Sequence, residues 1–234
     1  SSYTILTRQT GLARELQVVA NNIANLATTG FRSEGVIFSE YIQGVTHGES
    51  LSMGMGNVHN TDFAQGVLTQ TGGSLDFGIE GDGYFLVETP RGERLTRAGA
   101  FAANAQGELV TYDGFRVLDA GGAPIFVPSD AGPLSVSSDG TLSVNGAPIA
   151  QLGVVRPNAP LDLVREDGVM VRADAGFEQA QDARVAHGFT EGSNVNSVGQ
   201  LARMIEVQRA YEMGQSFLES EDERVRTALK TLSQ

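Results

Sequence analysis

The sequence contains no cysteine and no tryptophan, only three histidines, and 7% aromatic residues. Without cysteine there is no disulfide, no thiolate metal site and no thiol nucleophile. His47, His59 and His187 stand far apart and in no ligand-spaced motif, so an imidazole metal or catalytic centre is not expected. Long apolar runs are also missing. None approaches the ~18 residues of a membrane span, and the first residues, Ser1 to Arg14, hold no apolar core of signal-peptide type. Cations are scarce, with 16 Lys and Arg against 28 Asp and Glu, for a net charge of −12. Between Asp76 and Glu191 alone, 17 acidic residues face 8 basic ones. No nucleic-acid partner and no anionic membrane surface is therefore expected.

What the sequence does hold is a globular composition, 41% hydrophobic and 19% charged, over 234 residues with 29 glycines. Two amphipathic stretches lie at its ends. Met204, Tyr211, Leu218, Val225 and Leu232 recur every seven residues, with Val198, Leu201, Ile205, Val207, Phe217 and Leu229 widening the stripe. This predicts one long helix within 191–234, capped by Ser193, Asn194 or Asn196 and ~55 Å long at 1.5 Å per residue. At the other end Ile5, Leu12, Val19 and Leu26 repeat every seven, with Leu16 and Ile23 between them and a small-residue stripe of Ala13, Ala20, Ala24 and Ala27. A helix over about Tyr3 to Thr28 follows, stopped at Gly30. No charge falls between Glu15 and Arg32, so this helix is expected to be covered on several sides, some of them by other molecules.

Between the ends the periodicity changes. Residues 31–74 read as an extended connector and a loop, the loop beginning near His47. Over 75–190 short alternating segments are separated by Gly81-Asp82-Gly83, Asp113-Gly114, Asp139-Gly140 and Asn145-Gly146, which predicts roughly ten antiparallel strands. The expected fold class is α+β: residues 1–30 and 191–234 as long terminal helices paired in a coiled-coil-like domain, and 75–190 as a central all-β module.

No catalytic constellation is legible. Gly78-x-x-Gly81-x-Gly83 lacks the following helix and lysine of a phosphate loop and reads as a turn. Asp82, Glu88, Asp113, Asp139 and Asp167 occupy turns or exposed strand positions, and no serine stands in a nucleophile elbow. The chain is expected to be no enzyme and to need no cofactor and no metal. Three asparagines within five residues, Asn21, Asn22 and Asn25, are costly in a helix. They read either as solvated surface or as amides bonding across packed helices. Gln208, Arg209 and Glu212 raise the same choice.

Ala20-Asn21-Asn22-Ile23-Ala24-Asn25-Leu26-Ala27-Thr28-Thr29-Gly30-Phe31-Arg32 closely resembles the N-terminal signature of the bacterial flagellar rod and hook proteins. Glu191-Gly192-Ser193-Asn194-Val195-Asn196 and Met204-Ile205-Glu206-Val207-Gln208-Arg209-Ala210-Tyr211-Glu212 resemble the C-terminal one. Gly78 to Phe85 and Leu95 to Phe101 are similar to the family's central motifs. The middle of the chain, from Pro124-Ile125-Phe126-Val127-Pro128 to Ala150-Gln151-Leu152-Gly153-Val154-Val155, is most similar to the proximal-rod branch, whereas Gln208 to Glu212 is written as in the distal-rod branch.

The resemblance implies a structural subunit of the basal-body rod in the periplasmic space. Such a subunit is exported by the flagellar type III apparatus without a cleavable signal, and it assembles helically with its own copies and other axial proteins. The interface residues it implies are Leu12, Leu16, Val19, Asn21, Asn22, Ile23, Asn25, Leu26, Gly30 and Phe31 at the start. At the end they are Asn194, Val198, Leu201, Met204, Ile205, Gln208, Arg209, Tyr211, Leu218 and Val225. The rival readings are a distal-rod or hook-type member of the same family and, in a different class, a surface adhesin or binding module built on the β domain. An adhesin would be expected to present an aromatic ligand patch, which so few aromatics make difficult.

Overall fold

The structure, a computed structural model, describes residues 2–43, 51–128, 132–166 and 168–232. His47 and Asp167 lie outside them. The chain divides into two compact units. The first comprises Ser1–Leu26, Ser33–Phe63 and Val195–Gln234, and the second comprises Ala27–Arg32 and Ala64–Asn194.

The first unit holds helix α1 (Ser2–Ala24), an antiparallel hairpin of β1 (Glu34–Gln43) and β2 (Leu51–Thr61), and helix α2 (Ser197–Leu232). The hairpin keeps register from Glu34 opposite Thr61 to Gln43 opposite Leu51, with a bulge at Ile37/Phe38. From Leu51 onward the expected loop is therefore a strand. Leu51, Met53 and Met55 alternate with Ser52, Gly54 and Gly56, but glycine is depleted in strands, and the order of this stretch comes from pairing with β1. Helix α1 ends earlier than expected. The N–H of Asn25 is shared between the carbonyls of Asn21 and Asn22, and Leu26 N–H turns back to Ile23, the tightened geometry of a closing turn.

The coiled-coil-like pairing of two long terminal helices does not form. α1 has 23 residues and packs on the hairpin as well as on α2, which has 36. The buried line along α1 is Gln9, Gly11, Glu15, Val18, Val19 and Asn22, three of them polar, while the heptad residues Leu12, Leu16, Ile23 and Leu26 are only half-buried. Among the described side chains of α2, Val207 is the buried one, with Met204, Tyr211, Gly214 and Leu218 half-covered. Val198, Leu201, Ile205, Phe217, Val225 and Leu229 are exposed, and so is every residue from Asp222 to Thr231. A coiled-coil seam needs continuous apolar knobs. Here the helices are joined instead by polar links, Gln9 Nε2 to the Tyr211 carbonyl at 2.8 Å and Arg203 to Glu15 at 2.5 Å. Because Gln9 meets Tyr211 and Glu15 meets Arg203, the two helices run antiparallel.

The second unit is the β module, and every strand pairing among its described residues is antiparallel. Strand β3 (Leu68–Gln70) pairs with 189–191, and β4 (Phe77–Glu80) with 184–187. At the centre of the largest sheet lie β5 (Tyr84–Thr89) and β6 (Gly92–Thr96), with Phe85 opposite Thr96. Both faces of β5 are covered, which explains its unbroken apolar run. Phe85 and Val87 join a core with Phe77, Phe101, Leu109, Val117, Leu142 and Leu152, and Tyr84 and Leu86 join a second with Leu95, Leu118 and Val155. The Asn145-Gly146 hairpin turn forms as its sequence dictates, with φ of 51° and 80° at the two positions.

Candidate functional site

The N-terminal and C-terminal signatures converge inside the β module on one carboxylate. Glu191 closes the strand paired with β3 and is 1% exposed. Its Oε1 accepts from Arg32 Nη2 at 2.9 Å and from the Gly66 N–H at 2.9 Å. Its Oε2 accepts from Arg97 Nε at 2.7 Å and lies 2.6 Å from Arg97 Nη2. Both oxygens are thus fully used by charge-assisted bonds, the condition under which a buried carboxylate is tolerated. The backbone joins in, with Gly30 N–H donating to the Glu191 carbonyl at 2.7 Å and Asn194 N–H to the Phe31 carbonyl at 3.2 Å.

The surroundings complete this clasp. Arg97 also donates to the carbonyls of Ile79, Gly81 and Gly83, which ties the turn after β4 to the same cluster. Burial lowers the Arg97 guanidinium pKa from its ordinary value, an effect opposed by the Glu191 charge, and burial also raises that of the Tyr84 phenol. Arg32 donates to the Ala64 carbonyl, and Asn194 Nδ2 reaches the same oxygen at 2.9 Å. Phe31 is 1% exposed under the Arg165 guanidinium, whose carbon is 4.4 Å from the ring centroid. Gly30 has φ +70°, and an added Cβ would lie 2.3 Å from the Ala98 nitrogen. Only glycine fits there.

In the helical unit the asparagines divide. Asn22 is fully buried and brackets one residue, its Nδ2 donating to the Glu34 carbonyl at 2.7 Å and its Oδ1 accepting from the Glu34 N–H at 2.9 Å. It sets the start of β1. Asn25 Nδ2 donates back to the Asn21 carbonyl, and Asn21 is exposed.

Of the residues expected at an interface, then, Asn22, Gly30 and Phe31 are occupied within the chain, and Val19 is buried. Asn21, Val198, Leu201, Ile205, Gln208, Arg209 and Val225 present exposed side chains, while Leu12, Leu16, Ile23, Asn25, Leu26, Asn194, Met204, Tyr211 and Leu218 are partly covered. The sequence placed Arg32, Arg97 and Glu191 inside motifs but gave no sign that they meet. Glu191 is 94 positions from Arg97 and 125 from Gly66. The available hint was Arg32 ending a charge-free stretch, a cation that needed a counter-charge.

These features define an architectural protein, whose signature residues fasten one stretch of its chain to another and whose long helix carries unpartnered apolar side chains. Residues 3–32 match the family described as flagella basal body rod protein, residues 78–144 the flagellar hook protein FlgE/F/G D1 domain, and residues 186–231 the flagellar basal body rod FlgEFG protein C-terminal family. The flagellar basal-body rod protein FlgF of Mesorhizobium japonicum is 37% identical over 99% of this chain and 97% of its own. That of Rhizobium meliloti is 36% identical over 98% and 96%, and FlgG of Bacillus subtilis 31% over 95% of both. The chain belongs to the flagellar basal-body rod protein family and is FlgF-like within it.

Proposed function

We propose that this protein is a structural subunit of the flagellar basal-body rod, at its proximal part and in the periplasmic space. It is held there by its own copies and by other axial proteins, and it performs no catalysis. Delivery through the flagellar type III apparatus is part of the same reading. The observation that carries it is the set of large apolar side chains left exposed along the 36 residues of α2, with Val198, Leu201 and Ile205 on one side of the helix, Met213 and Phe217 on a second, and Val225 and Leu229 on a third. Clusters of exposed apolar side chains on more than one side of a single helix mark surfaces for neighbouring molecules to cover. Asn21, Gln208 and Arg209, also exposed, supply polar specificity beside them. Heterologous contacts that do not close give an open helical array, the geometry a rod requires.

The test replaces residues whose side chains are half or more exposed. The triple variant Leu201→Glu, Ile205→Glu and Val225→Glu should leave the thermal unfolding of the β module unchanged. The same variant should be missing from purified basal bodies, with motility lost. Normal incorporation of this variant would refute the proposal.

A further inference from the structure

Each charged residue of the clasp comes from a different one of the three matched families, Arg32 from residues 3–32, Arg97 from 78–144 and Glu191 from 186–231. Residues 145–185 lie outside all three, yet they also reach the N-terminal segment. They do so through Arg165, the last residue of an edge strand, Leu163–Arg165. That strand pairs with Met170–Ala173, which pairs in turn with β6 at Met170 to Thr96 and Val171 to Leu95.

The guanidinium of Arg165 does two things at once. Its plane lies over the Phe31 ring, 4.4 Å from the centroid, and its Nη2 donates to the Arg32 carbonyl. A planar fork can stack on a ring and hydrogen-bond past its edge, whereas an ammonium is a point charge that cannot stack. Arg165 and Glu191 therefore act on different parts of the same segment. The carboxylate neutralises Arg32, and the guanidinium covers Phe31.

The strand pair that carries Arg165 is lightly anchored. Val164 is 41% exposed, Leu161 just before the strand is 87% exposed, and Leu163 is only partly buried. A cavity of about 200 Å³ is lined by Thr28 and Thr29 of the N-terminal segment and by Val169 and Met170 at the start of the second strand. The grip is thus firm at Phe31-Arg32 and leaves space beside Thr28-Thr29. Parts of a fold with little buried apolar surface open at lower free energy than its core.

We infer that Arg165 is a positioning residue, through which the strands Leu163–Arg165 and Met170–Ala173 strap the segment Ala27–Arg32 onto the β module. The strap opens as a local event, with the core of the module still folded and Glu191 still holding Gly66. A stretch outside the shared families thereby governs how firmly the shared N-terminal signature is docked.

Hydrogen exchange on the full chain tests this, because separate amides report each part. The Asn194 N–H donates to the Phe31 carbonyl and the Gly30 N–H to the Glu191 carbonyl, so both report the docked segment. The Gly66 N–H reports Glu191, and those of Phe77 and Leu109 report the core. Arg165→Ala should lower the protection of Asn194 and Gly30 about tenfold while Gly66, Phe77 and Leu109 keep theirs. Arg165→Lys keeps the charge without the stack and should lose nearly as much. In a chain already carrying Phe31→Leu, which has no ring to stack on, Arg165→Ala should cost about threefold or less. A fall shared equally by the core amides would overturn the strap, since Arg165 would then support the whole module. Unchanged protection in Arg165→Ala, full rescue by Lys, or an undiminished tenfold loss beside Phe31→Leu would each overturn it too.

Discussion

Glu191 shows how a single side chain can decide the fate of two others. Arg32 and Arg97 are buried, and their charges are balanced by the same carboxylate. Glu191→Gln keeps the shape but removes the counter-charge, leaving two guanidinium groups under-compensated. Breaking one partner of a buried pair costs about 3–5 kcal/mol. Urea denaturation of the variant should show a loss of that order, and hydrogen exchange should show the Gly66 and Gly30 amides losing protection before those of Phe77 and Leu109. A loss under 1 kcal/mol (, the range of a surface pair) would mean that the cluster is hydrated and the assignment wrong. At this scale the sequence was half legible. The three asparagines stood out because their cost in a helix demands a reason, and Asn22 has one in its grip on Glu34. Which carboxylate would neutralise Arg32 was not legible, because local patterning carries no information about partners so distant along the chain.

Among the elements, the strongly periodic ones were read most securely and the pairing-dependent ones least. The run Tyr84-Phe85-Leu86-Val87 and the turn at Asn145-Gly146 declare themselves through side chains alone. The strand β2, with two glycines and two methionines in its centre, exists by virtue of its partner. The heptad repeats were genuine but misleading. On α1 the repeat marks a half-covered flank, and the seam with α2 is built from Glu15, Gln9 and Gly214, residue types that a hydrophobic count passes over.

At the edge of the large sheet, Glu166 staples neighbouring strands, accepting from Arg94 Nε at 2.8 Å and from Arg172 Nη1 at 2.6 Å. Hydrogen bonding from Arg94, seconded by Arg172, holds its carboxyl below the usual carboxylate range. A depressed carboxyl contributes stability that is fully present above its unfolded pKa of about 4.3 and is lost as the pH falls through the folded value. Glu166→Gln should therefore destabilise the β module at pH 7, and the gap to the unmodified chain should close progressively below about pH 4. Chemical denaturation at both pH values checks this. A gap that persists undiminished in acid would show that Glu166 acts through packing rather than charge.

For the whole molecule, the boundary read from the sequence at residue 30 falls inside a segment that belongs to the β module. Ala27–Arg32 is assigned to that unit, with Phe31 in its interior and Arg32 on Glu191. Deleting residues 1–26 should leave the unfolding transition of the β module close to that of the full chain. Deleting 1–32 should lower it by about 3–5 kcal/mol, the price of stranding Glu191 with one cation and emptying the Phe31 site. Equal stabilities for the two truncations would refute the assignment. The charge asymmetry seen in the composition also has a structural basis. Several of the few cations, Arg32, Arg94 and Arg97 among them, are consumed inside the β module, so the net charge of −12 is carried largely at its surface.

The clasp imposes an order of events on biosynthesis. A nascent polypeptide emerges with its amino end first, so Arg32 and Arg97 are made long before the carboxylate that neutralises them. Until position 191 has left the ribosome, the module cannot reach its final state, because closing it would strand both cations in an apolar interior. Completion of the fold is thereby tied to arrival of the segment that leads directly into the last helix, and a truncated product lacking that segment is kept from maturing.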